Sequence, residues 1–335
     1  MAGDILVLTV DGDPHAEHVA GLLAGRGARP VFFDPADYPA GAVLEAVYDR
    51  DGRVRRRLRT GSADVDLDRL TAVWFRRPRP PVAHPEIVDA AARGYVEQEC
   101  LAFAADLWDQ LGCRTVPAPR GVVTLAQRKS SQLALAGRLG FELPATLITN
   151  DPDAFLDFYA RHDGRIITKP FDNPWAPRAD GEETSRLAEP VSTRDVAYAD
   201  AIRFAPVITQ EYVDKRVELR VTVVGRAVFA AEIHSQENNH ARFDWRRYDL
   251  GSTRHEVHRL PGDVARRCVE IVERLGLCYG ALDLILTPDG RYVFLEVNPS
   301  GQWLWIEQAT GLPISEALCD LLLYGEVRAA TARPA

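Results

Sequence analysis

Two apolar runs, Ala281-Leu282-Asp283-Leu284-Ile285-Leu286 and Val293-Phe294-Leu295-Glu296-Val297-Asn298, flank a Pro288-Asp289-Gly290 turn, and this pair constrains the fold more than any other stretch. Each run has the length and aliphatic content of a buried strand, and an Asp-Gly turn between such runs signals a hairpin. Side chains two apart on a strand share a face, so Glu296 and Asn298 project together, and the turn can bring Asp283 alongside them. Two carboxylates and an amide oxygen make a hard, oxygen-only site that suits Mg2+ also held by substrate phosphates. The alternative, ordinary solvent-facing strand residues, sits poorly inside so apolar a pair.

The rest of the chain alternates in the same way. Residues 5–10 are an apolar run ending at Asp11-Gly12-Asp13-Pro14; a helical pattern through His18, Val19, Leu22 and Leu23 follows, and Pro30-Val31-Phe32-Phe33-Asp34 reads as a second strand. That is a β-α-β start and predicts a parallel sheet. Residues 47–54 predict a hairpin, 72–75 a strand and 85–111 a helix, with Pro117 and Pro119 marking a boundary. The middle section predicts helices at 129–139 and 152–162 and strands at 145–148 and 165–169, then a polar, mobile loop over 171–189. The last section predicts strands at 207–211, 219–224, 227–234, 281–286 and 292–297, a basic helix at 263–275 and a closing helix at 313–323. At 335 residues the chain is too long for one ordinary core. The expected fold class is α/β with α+β lobes: an N-terminal parallel lobe over 1–118, a central subdomain over 119–205, a C-terminal subdomain over 206–327 and a disordered tail over 328–335.

Composition narrows the partners. The net charge of −8 argues against nucleic acid, which needs a basic face. No run approaches the roughly 20 apolar residues of a membrane span. The N-terminal stretch carries no basic region or cleavage site, and the five cysteines form no C-x-x-C pair, so a reducing, cytoplasmic setting is expected. Of 40 Lys plus Arg only Lys129, Lys169 and Lys215 are lysine. A lysine kept against such a bias suits a position that wants a compact ammonium.

G-x-x-x-x-G-K-[ST] and G-x-G-x-x-G are both missing, which disfavours a P-loop NTPase and a nicotinamide dehydrogenase. A dispersed set remains. In Gln210-Glu211-Tyr212-Val213 a strand ends in an acid and an aromatic that can meet an adenine edge through backbone groups. Glu218 can accept from ribose hydroxyls, and Arg220 on the same strand face can reach phosphate. A salt-bridged surface strand reads the same. Lys129, opening a helix, and Lys169, closing a strand, can each reach phosphate oxygens.

Lys129, Thr168-Lys169-Pro170, Gln210-Glu211-Tyr212-Val213, Glu218-Leu219-Arg220-Val221 and Leu295-Glu296-Val297-Asn298-Pro299 resemble, in order and spacing, the ATP-grasp superfamily over roughly residues 120–323. The resemblance implies an ATP-grasp fold behind a pre-ATP-grasp lobe, with ATP between two lobes. Lys129 and Lys169 would lie on phosphates, Glu211, Tyr212 and Val213 on adenine and Glu218 on ribose, with two Mg2+ held by Asp283, Glu296 and Asn298. One departure is that residues 171–189 offer only Gly181 where the family usually covers the phosphates with several glycines.

Val73-Trp74-Phe75-Arg76-Arg77-Pro78, Arg220-Val221-Thr222-Val223-Val224-Gly225, Asp244-Trp245-Arg246 and Asn298-Pro299-Ser300-Gly301-Gln302-Trp303 look most like the graspetide maturases within that superfamily. This implies phosphorylation of a precursor peptide's Glu or Asp side chain and its capture by a Thr or Ser hydroxyl or a Lys amine, in a homodimeric enzyme. Arg220, with Lys169 and Arg246, is the candidate catalytic set. Arg76, Arg77 and Arg246 are forks suited to acidic side chains, Trp245 and Trp303 rigid surface for a peptide, and Ser300 and Gln302 further substrate contacts. Solvated arginines and core tryptophans are the alternatives. His234 or His240 could serve a hydroxyl nucleophile as base. A small-molecule amino-acid ligase and a non-catalytic peptide-binding module are the competing functions.

Overall fold

The computed structural model describes residues 3–171, 175–177, 183–185, 187–237 and 253–328. It opens with the expected β-α-β unit: β1 (Asp4–Leu8), α1 (Pro14–Gly25) and β2 (Arg29–Phe33), which pairs parallel to β1. Asp13 starts the helix, its Oδ1 accepting the Ala16 N–H at 2.9 Å, and Pro14 fills a first-turn position that needs no donor. β3 (Ala42–Tyr48), β4 (Val54–Thr60) and β5 (Asp64–Asp66) make a separate antiparallel sheet, a longer hairpin than the 47–54 window suggests. β6 (Ala72–Phe75) and β7 (Arg114–Val116) complete a parallel sheet in the order β2-β1-β6-β7. Between them α2 (Ala90–Asp109) begins later than expected, because Asp89 caps it by accepting the Ala92 N–H at 2.8 Å.

α3 (Arg120–Ala126), which the sequence did not suggest, precedes α4 (Lys129–Arg138). β8 (Thr146–Thr149), α5 (Pro152–Arg161) and β9 (Ile166–Lys169) follow. β10 (Trp175–Pro177) and β11 (Glu183–Ser185) pair antiparallel within the stretch expected to be an irregular loop. β12 (Glu189–Pro190), α6 (Thr193–Ala197) and β13 (Val207–Glu211) come next, closing a sheet of order β12-β9-β13-β8. Phe155, Phe158 and Ile166 give this sheet and α5 a core of their own.

The last sheet is antiparallel throughout, in the order β16-β15-β14-β17-β18. Its members are β14 (Val217–Val224), β15 (Ala227–Ile233), β16 (His255–Val257), β17 (Tyr279–Leu286) and β18 (Tyr292–Asn298), with α7 (Gly262–Arg274) ahead of β17. α8 (Leu304–Thr310) and α9 (Ile314–Tyr324) close the described chain, each stopped by a left-handed glycine, Gly311 and Gly325. One face of this sheet packs Leu219, Val221, Leu282 and Leu284 on Cys268, Ile271 and Val272 of α7. On the other, Phe229, Ala231 and Tyr279 join Ile5, Val7 and Trp74 of the parallel sheet and Leu318 of α9 in one cluster. The first and last sheets therefore share a core. No helix among the described residues is long and apolar enough to cross a membrane, and all five cysteines are free thiols. Arg328 donates its N–H to Asp320; the remainder of the tail lies outside the described residues.

Candidate active site

Register across three strands sets the site. Arg220 on β14 stands opposite Asp283 on β17, Asp283 stands opposite Glu296 on β18, and Asn298 follows two residues on. The pairing slips between Asp283 and Leu284: Asp283 faces Glu296, but Leu284 faces Phe294, which leaves Leu295 as an extra residue. Such a bulge re-aims side chains on one strand. It lets Phe294 stay in the core on α7 while Glu296 turns to the opposite face.

Arg220 Nη1 donates to Asp283 Oδ1 at 2.8 Å, and Asn298 Nδ2 donates to Asp283 Oδ2 at 3.1 Å and to Glu296 Oε1 at 3.3 Å. Lys129 Nζ donates to Glu296 Oε2 at 3.0 Å. Two carboxylates that converge on one amide are close enough to share a cation, and a flip of that amide presents its oxygen as a third hard donor. The donor set fits Mg2+. Lys129 is held there by a residue the sequence reading passed over. Gln132, one turn into α4, donates to the Val297 carbonyl at 2.8 Å and accepts the Val297 N–H at 2.9 Å. It occupies the edge of β18 as a neighbouring strand would, and so fixes the helix against that strand.

A cleft of about 710 Å3 runs from these donors past Lys169 to Glu211, Tyr212, Val213 and Lys215. Glu211 and Tyr212 direct their N–H groups to the carbonyls of Ala145 and Arg165 at 2.9 and 2.8 Å, so the β13 edge is held between two neighbours. Glu218, expected to meet a ribose, is buried and accepts from Lys215 Nζ at 2.9 Å and Ser235 Oγ at 2.7 Å. Lys215 thus has a partner that spacing alone did not reveal.

The loop after β18 is held by its carbonyls. Arg76 Nη1 donates to Ser300 O at 2.7 Å, Tyr279 Oη to Gly301 O at 2.7 Å and Arg220 Nη2 to Gln302 O at 3.1 Å. Burial pushes the Tyr279 phenol up to about 12, which keeps it a donor. Several expected substrate contacts lie around this loop. Arg76 is only 1% exposed and stacks 5.3 Å from the Trp303 ring, so its first task is to tie the parallel sheet to this loop. Trp303 is a core residue and not a peptide platform: it is 1% exposed and its Nε1 donates to Ser315 Oγ at 2.9 Å. Ser300 and Gln302 contribute their carbonyls to arginines of the protein itself, while Arg77 is exposed. His234 sits by Glu232, 3.1 Å from Nε2, and by Glu237. Trp245, Arg246, His240 and Gly181 lie outside the described residues.

The fold has counterparts among known proteins. Residues 4–119 match the MvdD pre-ATP grasp domain. The macrocyclase MdnB from Microcystis aeruginosa MRC is 30% identical, with 96% of this chain and 100% of that one covered and a TM-score of 0.78. A RiPP-associated ATP-grasp ligase of Chryseobacterium gregarium, solved with ADP and a leader and core peptide, is 26% identical over 99% of both chains, with a TM-score of 0.88. Among curated proteins, one named probable alpha-L-glutamate ligase in Enterobacter sp. (strain 638) is 31% identical over 58% of this chain, and the chain spans 62% of its length.

Proposed function

Because the chain belongs to the graspetide maturases of the ATP-grasp superfamily, we propose that it uses Mg-ATP to cross-link the side chains of a ribosomally made precursor peptide. The observation that carries this reading is the Arg220–Asp283–Glu296 row, with Asn298 and Lys129 closing on it at the end of a cleft that Lys169 and residues 211–213 line.

ATP would lie along that cleft, with adenine at residues 211–213, ribose by the Lys215–Glu218 pair, and phosphates between Lys169 and Lys129. Asp283, Glu296 and Asn298 would hold Mg2+, two ions in the full site, which supplies charge neutralisation to the phosphates. A Glu or Asp carboxylate of the peptide attacks the γ-phosphorus and ADP leaves. A Thr or Ser hydroxyl, or a Lys amine, of the same peptide then attacks the resulting acyl carbon, losing a proton and expelling phosphate. Positioning and charge are what such transfers need from a protein. Arg220 supplies both: it is fixed by Asp283 and the Gln302 carbonyl, and presents a permanent charge to the transferring group and the later oxyanion. The reading includes a cytoplasmic homodimer, which light scattering tests.

Likeness to the glutamate ligase favours a second reading, an enzyme that joins free amino acids. Incubation of the protein with Mg-ATP and a candidate precursor peptide, followed by mass spectrometry, separates the two. Loss of one water mass per bond with matching ADP release is expected for the macrocyclase. Unchanged peptide, with ADP released only on addition of amino acids, would establish the second reading.

A further inference from the structure

Glu232 on β15 stands opposite Glu256 on β16, and His234 follows Glu232 by two residues, its N–H bonded to the Arg254 carbonyl so that the ladder runs on past the strand end. The three side chains share one face. It is the face of Leu219, the partner of Glu232 on β14, which packs on α7; the Arg220–Asp283–Glu296 row lies on the other. An oxygen from each carboxylate and an imidazole nitrogen of His234 all lie within 4.8 Å of one another.

The cluster lacks positive charge at its centre. The Glu232 side chain is 15% exposed, and among the described residues its only ion-pair partners are the imidazoles of His234 and His258. A largely buried carboxylate without a permanent cation beside it favours an incoming one. His258 fixes one oxygen: its Nδ1 donates to Glu232 Oε1 at 2.7 Å, and its Nε2 accepts the Tyr292 hydroxyl at 3.0 Å. That leaves Oε2 towards His234, 3.1 Å from Nε2. This Nε2 is buried and without a hydrogen-bond partner, and Glu256 Oε2 stands 3.8 Å from it. Arg254 serves the rim instead. Its Nη1 donates to Glu256 Oε1 at 2.5 Å, and its Nη2 to Glu237 Oε1 at 2.7 Å and His234 Nδ1 at 2.8 Å. A guanidinium only donates, so Nδ1 accepts and Nε2 carries the ring hydrogen.

We propose that Glu232 Oε2, His234 Nε2 and Glu256 Oε2 bind a Zn2+ ion, at a site separate from the one that holds Mg2+. Zinc bonds to imidazole and carboxylate of about 2.0–2.2 Å put ligands of one tetrahedral ion about 3.4 Å apart, between the two separations found at Nε2. An imidazole with two carboxylates suits Zn2+ better than Mg2+, which takes oxygen ligands. On binding, Arg254 swings outward and the ring hydrogen of His234 moves from Nε2 to Nδ1. There it is donated to Glu237 Oε1, 3.6 Å away, and the freed Nε2 lone pair goes to the ion, with no net loss of a proton. A carboxylate behind the ligating imidazole and a held carboxylate beside it are the outer partners a metal site needs. The ion pins β16, an edge strand of three residues, to β15.

The test titrates Zn2+ into the full chain, stripped of metals and held in excess Mg2+, by calorimetry, with Mg-ADP affinity measured in parallel as a check on the fold. A single Zn2+ per chain is expected. His234→Ala, and Glu256→Gln at a half-exposed side chain, should weaken it by about 100-fold or more, and His258→Ala by about 10–100-fold, with ADP affinity kept. Arg254→Ala removes the competing cation and should tighten it. Co2+ in the site should show visible d–d bands without the thiolate charge-transfer band that the free cysteines would give. Wild type that takes up no stoichiometric Zn2+ overturns the site. So does unchanged affinity in a folded Glu256→Gln protein, looser binding in Arg254→Ala, or a thiolate band with Co2+.

Discussion

Phe294 and Glu296 are two residues apart on one strand yet face opposite sides of the sheet, Phe294 in the core on α7 and Glu296 across from Asp283. Leu295, the extra residue between them, is the cause. Deleting Leu295 forces a choice, and burial of a phenyl ring, worth about 2–3 kcal/mol, keeps Phe294 where it is. Glu296 is then pulled from the site. The deleted protein is expected to fold, by circular dichroism, and to lose Mg-dependent ADP release; turnover near wild type would show that the bulge does not aim Glu296.

Glu296→Gln keeps the shape of the side chain and removes its charge from beside Lys129. ATP turnover is expected to drop by about 100-fold or more, the scale of losing one preorganised charge in a site, with little change in melting temperature. Near-normal ADP release from a well-folded variant would remove Glu296 from the metal assignment.

Gly301 has no room for a side chain. A Cβ there would stand 2.4 Å from the Ala281 Cβ and 2.7 Å from Arg220 Nη2. Gly301→Ala should cost about 1–3 kcal/mol through overpacking and displace Arg220, lowering turnover far more than ADP affinity. Adding Ala281→Gly relieves the nearer clash, so the pair should recover most of the stability in urea titrations. No recovery would mean that the strain lies elsewhere.

His15 makes stability depend on pH. Its Nδ1 accepts the Leu304 N–H at 3.3 Å, and burial, with Arg76 second, pushes its pKa from 6.5 to about 3. The folded protein keeps the ring neutral while the unfolded chain takes up a proton below 6.5. This contribution is therefore whole above that pH and declines by about 1.4 kcal/mol per unit as pH falls towards 3. His15→Asn keeps an acceptor and cannot titrate, so between pH 6.5 and 5 it should lose about 2 kcal/mol less than wild type in urea unfolding. Identical pH slopes for the two proteins would refute the assignment.

Much of this site was legible because Asp283, Glu296 and Asn298 interrupt apolar strands, and burial cannot explain a carboxylate there. The same alternation misleads at Phe294: strict period-two counting puts it on the face of Glu296, and only the bulge separates them. Arg76 reads as a surface fork because it follows a strand before a proline, whereas packing against Trp303 and Ser300 buries it. Gln132 acts through a neighbour far along the chain, a relation that neither propensity nor spacing encodes.

The shared core of the first and last sheets sets an order of events during synthesis. Ile5, Val7 and Trp74 leave the ribosome early, but Phe229, Trp303 and Leu318, which cover them, come last. At about 5–20 residues per second the uncovered face waits roughly 10–50 s, long enough for aggregation to compete. The central sheet, with its own core around Phe155 and Ile166, has no such wait. Yield in a heterologous host should therefore depend on chaperone capacity and growth temperature more than the stability of the finished protein would suggest.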